Sequence, residues 1–473
     1  VSYAIYVGKN RTRNGMAYLA GYGDEPSSHW LEIVPRATHP TDAEIEVGVD
    51  DRASMPGVRT TIPQVAETAR HLRVSYTAFL GVAPPLTNGG LNEHGVAVRD
   101  VWSPSHDRLV AMTPRDQHGP NYSDLARLVL ERATSARDGV ELIGRLIAEH
   151  GESTYGGNSH LIADADEAWV VIEFAGGMGL WVAERLGPDD IRVSRPGYIL
   201  DVPLDLRGRD DFLAAPHLIA TAIERGWWSP DEERFDVNAV YGDGKGRWDG
   251  VRWIEAELEA RADRPERLDL PDLIWALRTE RLTGDSAGYG QVVPLHGNLD
   301  PRLRELWHAP IGPVVSPLTP FFLGIEHVPP EFRQHRYLSE GEEAAFMDAG
   351  GVDRVSGVAP AVEGTRSAVE VYRRLWYTVA EHYEVFLPEI VPVWDALERD
   401  MRNGTEGVRE MATVAIEGGR DDLVAPALTS YCSREALRAL DIAEAMLVSI
   451  DARSRVLFGV RDEPGWVGPT TMW

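Results

Sequence analysis

The side chain placed best for chemistry is Ser2, which directly precedes the apolar run Tyr3-Ala4-Ile5-Tyr6-Val7. A strand starting there holds the hydroxyl beside the chain terminus. An α-amine titrating near ~8 is a usable base for a neighbouring hydroxyl, so Ser2 is a candidate nucleophile served by its own amine. With Val1 in front, that amine is acylated. One resolution is expected to be a GTG start codon: native translation would begin with Met, its removal would expose Ser2, and a tagged protein would read the codon as valine. Intact-mass analysis of native, untagged protein still carrying Met or Val would contradict this.

Other candidates fare less well on spacing. Gly284-Asp285-Ser286-Ala287-Gly288 spells G-x-S-x-G, but a nucleophile elbow needs a strand before the serine and a helix after it. Here Leu273 to Arg281 reads as helix upstream, Tyr289 to Pro294 follows, and there is no HGGG-type loop. The single cysteine, Cys432, stands at the start of a helical pattern from Arg434 to Ile450 with no companion motif, and it excludes an intramolecular disulfide or a cysteine-based zinc site. The histidines, including His71, His94, His160, His217, His296 and His308, form no H-x-x-x-H or H-E-x-x-H pair. No metal site is legible, and no P-loop or dinucleotide fingerprint is present. Trp227-Trp228 reads as core or interface before pocket.

Elements must hold these residues in place. Residues 3–7 and 16–21 read as strands joined through Asn14-Gly15. Gly95 to Val101 continues as strand after the Asn88-Gly89-Gly90 turn. One helix is expected to start near Ser123 and Asp124, and a second to run from Arg137 to His150, with Val140, Leu142, Ile143 and Leu146 on one face and Gly151 as its stop. Strands follow at His160–Ala163, Ala168–Phe174, Leu180–Glu184 and Ile191–Ser194. Residues 210–285 read as mainly helical, 293–330 as Pro-rich and aromatic, and 364 to 453 as helical throughout. Strands, then a helix pair, then more strands fit helices layered on antiparallel sheets better than βαβ units.

Composition bounds the function classes. The chain has 473 residues, of which 43% are hydrophobic and 26% charged, as expected of a globular protein with one large core and an added lobe. A net charge of −27 argues against nucleic acid or an anionic membrane as partner. No apolar run approaches the roughly 18 residues of a membrane span, and the opening has no signal-peptide pattern. A cytoplasmic location is expected. Lys9 and Lys245 are the two lysines among 47 basic residues, which fits a high-GC codon bias.

An ordered set of segments resembles the dipeptidase/secernin family of N-terminal-nucleophile (Ntn) hydrolases. The opening Ser2-Tyr3-Ala4-Ile5-Tyr6-Val7-Gly8-Lys9-Asn10-Arg11-Thr12-Arg13-Asn14-Gly15 is similar to the family's Cys-Thr-Thr-x-x-Val-Gly-Lys-x-x-Thr-x-Asp-Gly. Gly90-Leu91-Asn92-Glu93-His94-Gly95-Val96 matches its Gly-x-Asn-Glu-x-Gly-Val, and Ile162-Ala163-Asp164-Ala165-Asp166-Glu167-Ala168-Trp169 its Ile-Ala-Asp-x-x-Glu-Ala-Trp. Ser316-Pro317-Leu318-Thr319-Pro320 resembles its later Ser-Pro-x-x-Pro. The resemblance implies an α+β fold, an αββα sandwich with a helical C-terminal lobe: core 1–330, connection 331–363, lobe 364–473. It implies cleavage of an amide bond in a small peptide or amide, with no metal or organic cofactor and with homo-oligomerisation left open. Ser2 would be nucleophile and Asp24 would orient its amine. Asn92 would shape the pocket or hold a turn.

The departures are specific. The family nucleophile is cysteine; serine is far less ionised and leans harder on its base. The arginine expected in the turn after the second strand is absent from Gly21-Tyr22-Gly23-Asp24. An expected asparagine falls near Asp100, where a carboxylate would repel a developing oxyanion rather than donate to it. The Ser-Asn pair becomes Ser194-Arg195, and Arg195 could restore the missing charge or clamp an anion. These changes leave two other readings open: a non-catalytic ligand- or partner-binding protein on the same scaffold, and an acyl or aminoacyl transferase.

Overall fold

A computed structural model of the chain describes residues 2–23, 29–76, 81–195, 197–283, 288–333 and 366–459. Among these residues, fourteen strands build two main sheets. They are β1 (Tyr3–Val7), β2 (Ala17–Gly23), β3 (His29–Val34), β4 (His71–Tyr76), β5 (Thr87–Asn92), β6 (Ala97–Val101), β7 (Asn158–Ala163), β8 (Ala168–Glu173), β9 (Trp181–Leu186), β10 (Ile191–Ser194), β11 (Phe212–Ala214), β12 (Tyr289–Leu295), β13 (Glu305–Ala309) and β14 (Thr319–Phe322). Sheet A runs β10-β1-β2-β12-β13-β14, and sheet B runs β11-β9-β8-β7-β6-β5-β4-β3. Neighbours pair antiparallel in both, with Tyr3 opposite Tyr22 and Ala4 opposite Ser194 at the head of β1.

Period-two alternation decides how the sheets stack. On sheet B, Leu72, Val74, Leu91, Ala97, Val101, Leu161, Val170 and Ile172 join the core shared with sheet A, and β1 and β2 touch β6 across it. The intervening positions Val96, Val98, Ile162, Trp169 and Val171 point the other way. They meet α1 (Tyr122–Arg132) and α2 (Ala136–His150). The outer side of sheet A is met by α3 (Asp249–Ala262) and α4 (Leu270–Arg278). The chain is therefore a mixed α and β structure.

The helix pair forms where its caps dictate. Asn121 Oδ1 accepts from the Ser123 and Asp124 amides at 2.8 and 3.0 Å, while Asp124 accepts from the Asn121 amide at 3.1 Å. This reciprocal box satisfies the exposed N–H groups of the first turn of α1. Ser135 caps α2 by accepting from the Asp138 amide at 3.1 Å. Gly151 ends α2 at φ +81°, a conformation that a Cβ disfavours.

Residues 366–459 are three helices, α5 (Ala368–Ala380), α6 (Tyr383–Glu417) and α7 (Val424–Phe458). α6 and α7 pack on the edge strand β14. α7 begins ten residues before the expected start, because Pro426 falls in its first turn, where a missing N–H costs little. Cys432 therefore lies inside a helix, and burial pushes its thiol up to about 12. No helix among the described residues is long and apolar enough to cross a membrane.

Candidate active site

Ser2 leads into β1 and is 7% exposed. The facing of its side chain follows from Tyr3, whose hydroxyl donates to the Ala276 carbonyl of α4 at 2.6 Å. Tyr3 thus points out of the sandwich side of sheet A. Alternation puts Ser2 and Ala4 on the opposite face, toward sheet B.

The space between the sheets holds a buried cation that the sequence reading did not single out. Arg99, on β6, is fully buried. Its side chain lies against Gly21, where a Cβ would come within 2.7 Å of its Cγ. The guanidinium donates to the carbonyls of Tyr22 and Asn88, each at 3.3 Å, and pairs with the Asp100 carboxylate. It also sits 4.9 Å from the Tyr289 ring centroid. Asp100 is therefore not a lone carboxylate, because Arg99 compensates its charge. The signal was present as a long cation at an inward position of the run Ala97-Val98-Arg99-Asp100-Val101, opposite a glycine on β2. Buried charge persists only when paired and hydrogen-bonded.

Arg195 follows β10 and donates to the Ser2 carbonyl oxygen at 3.3 Å. Its guanidinium lies 5.2 Å from the Trp248 ring centroid, and it lines a cavity of about 760 Å³. The structure thus brings Ser2 and Arg195 together. Asn92 lies elsewhere: its amide donates to the Leu130 and Ala133 carbonyls at 3.2 and 2.8 Å, and its oxygen accepts from the His94 and Val96 amides at 3.0 Å each. These are the bonds of a buried turn that ties β5 to α1. Asp24 lies outside the described residues, as do Gly284 to Ala287 of the G-x-S-x-G segment. The described flanks of that segment are a short helix before (Glu280–Thr283) and the strand β12 after, the reverse of a nucleophile elbow.

No group of three or more His, Cys, Asp or Glu side chains among the described residues is placed to hold a metal ion. The arrangement offers a hydroxyl at a strand head, a guanidinium on its own carbonyl and a cavity beside them. It can position a carbonyl compound for attack and balance negative charge that develops there.

Residues 63–249 match the family model described as Peptidase family C69. That stretch contains Asn92, Asp100 and Arg195 and excludes Ser2. A probable dipeptidase B of Lactococcus lactis subsp. lactis (strain IL1403) is 31% identical over 158 residues, 32% of this chain and 32% of the relative. A probable dipeptidase of Latilactobacillus sakei is 24% identical over 192 residues, 38% of this chain and 39% of the relative. A probable dipeptidase A of Streptococcus pyogenes serotype M3 (strain SSI-1) is 25% identical over 224 residues, 45% of this chain and 43% of the relative. The chain thus spans 32 to 43% of the length of these curated relatives. Among solved structures, a mutant of the conjugated bile acid hydrolase from Clostridium perfringens aligns with a TM-score of 0.31 at 9% identity, covering 65% of this chain and 88% of that one.

Proposed function

Taking the chain as a relative of the C69 peptidases, we propose that it is an Ntn-type amidohydrolase that cleaves an amide bond in a small peptide or amide. The two sheets and their outer helices would be the αββα sandwich of that class. We draw the division as a core over 1–330, a connection over 331–363 and a helical lobe over 364–473. One observation carries the reading: Ser2 is buried at the head of β1, a non-edge strand of sheet A, and has Arg195 on its carbonyl oxygen.

In this mechanism Ser2, exposed as the N-terminal residue, attacks the substrate carbonyl through Oγ. Its proton passes to its own α-amine, which Asp24 orients. The tetrahedral oxyanion is met by backbone N–H groups and by the positive field of Arg195. Collapse breaks the C–N bond, the ammonium returns the proton to the leaving amine, and an ester on Ser2 remains. Water, deprotonated by the same amine, hydrolyses that ester. The pairing of Asp100 with Arg99 removes the repulsion that a lone carboxylate would exert. Asn92 acts as a turn residue that holds β5 against α1.

The test is a panel of dipeptides and amino-acid amides, offered to protein with Ser2 confirmed as the first residue and to Ser2→Ala. Turnover by the first and loss in the second is expected. Equal turnover by both would refute the assignment. Products carrying an added amine would indicate transfer rather than hydrolysis.

A further inference from the structure

The cavity beside Arg195 is lined by more cations than carboxylates, in a chain that is acidic as a whole. Five cationic side chains line it, Arg195, Lys245, Arg247, Arg252 and Arg281, against two carboxylates, Asp243 and Asp249. Arg195 is engaged at the Ser2 carbonyl, and two more are committed. Arg247 is held by Glu255 at 2.6 Å and by the Val193 carbonyl at 2.8 Å, and Arg252 pairs with Asp249. Lys245 and Arg281 have no carboxylate partner among the described residues, and Arg281 lies 4.4 Å from the Trp253 ring centroid. In a molecule of charge −27, such a patch at a concave mouth focuses positive potential and raises the local concentration of anions.

Its walls are also aromatic. Trp102 and Trp248 both line the cavity and are 41% and 39% exposed. Indole faces left in water are costly, and an aromatic or flat apolar group stacked on them would gain both burial and ring contact. Arg195 joins this wall to the catalytic end, because the same guanidinium reaches the Trp248 ring and the Ser2 carbonyl.

We propose that this cavity is the specificity subsite for the part of the substrate that carries both an aromatic ring and a carboxylate, as the aromatic carboxyl-terminal residue of a short peptide does. Trp102 and Trp248 take the ring, and Lys245 and Arg281 take the carboxylate. The assignment rests on the hydrolase reading for its purpose, but its binding chemistry does not need Ser2.

The probe is indole-3-propionate, which has no bond to cleave, titrated calorimetrically into the full chain beside its neutral analogue indole-3-propanol. Binding of the acid is expected to exceed that of the alcohol by roughly ten-fold or more and to weaken with salt. The Lys245→Gln/Arg281→Gln double variant should lose that preference, Lys245→Arg should keep it, and Trp248→Leu should weaken both ligands. Equal affinity for acid and alcohol, or a preference that survives the double variant, would overturn the proposal. Tighter binding of adenosine monophosphate than of the acid would do so too, by pointing to a phosphate site. Ser2→Ala protein should bind the acid as the parent does. Failure of the dipeptide panel with this binding intact therefore refutes only the hydrolase reading, and turnover without this binding refutes only the subsite.

Discussion

The two faces of sheet B bury different charged clusters. Toward sheet A the large buried charge is Arg99, and beyond it Arg195 and the cationic cavity continue at the end where Ser2 lies. Behind the sheet, near α1 and α2, the buried carboxylates are Asp124 and Glu173, each beside a buried basic side chain, Arg127 and His160. There Asp124 is held by the Gly48 and Asn121 amides at 2.8 and 3.1 Å, and Glu173 by His160 at 2.8 Å. Burial opposes a charged His160, yet Glu173 more than offsets it and holds its pKa above the ordinary value. The cleft on this side, between α2 and the β9–β11 edge, is the wider one at about 1030 Å³, and Glu141, Glu149 and Glu152 line it. Volume alone would place the active site there. The proposed site is instead at the end where Ser2 and the cationic cavity lie, because negative charge developing on a substrate would be stabilised there.

The contrast can be broken from either side. Arg99→Met removes the buried guanidinium that pairs with Asp100 and should lower the unfolding free energy in denaturant by about 3–5 kcal/mol. A loss within experimental error would mean that the pair is not the buried charge described.

On the carboxylate face, burial pushes Asp124 up to about 6 despite the opposing pull of Arg127. Because the folded value lies above the unfolded one, near ~3.9, the folded state holds the extra proton between them. Stability from this group is fully present below about 4 and is lost as pH rises through about 6. Asp124→Asn should flatten that slope, a difference on the order of 2–3 kcal/mol across the window. Parallel pH profiles for the two proteins would contradict it.

Arg195→Gln removes the cation without the bulk, and kcat/KM should fall roughly ten- to hundred-fold at unchanged melting temperature. The smallest effect belongs to the wide cleft. Glu149→Gln should leave turnover within about two-fold of the parent, as expected of a surface change remote from the chemistry.

Legibility in the sequence followed local punctuation. The α1–α2 pair and strands β7 to β10 were readable because Asp124 in a first turn, the apolar face of Val140, Leu142, Ile143 and Leu146, and the stop at Gly151 mark the helices, and because the strands alternate between clear turns, whereas the caps Asn121 and Ser135 were not singled out. β3 and β4 were missed: His29, Glu32, His71 and Arg73 interrupt their apolar pattern, and only pairing with each other and with β5 makes them strands. β13 and β14 were hidden in a Pro-rich stretch, where Pro320 is tolerated because β14 is an edge strand. In the site, Ser2 and Arg195 were legible from position and resemblance. Arg99 was not, because its role depends on Gly21 lying across from it, a contact between residues 78 positions apart that no local pattern encodes.

The central claim is that Ser2 is the nucleophile, and covalent trapping tests it most directly. Protein with Ser2 as its first residue would be treated with a dipeptide-like β-lactone, digested and mapped by mass spectrometry. The account predicts one adduct, on the peptide that begins at Ser2, and its absence from Ser2→Ala. An adduct on Ser286 or Cys432, or turnover that continues while Ser2 stays unmodified at saturating lactone, would contradict it.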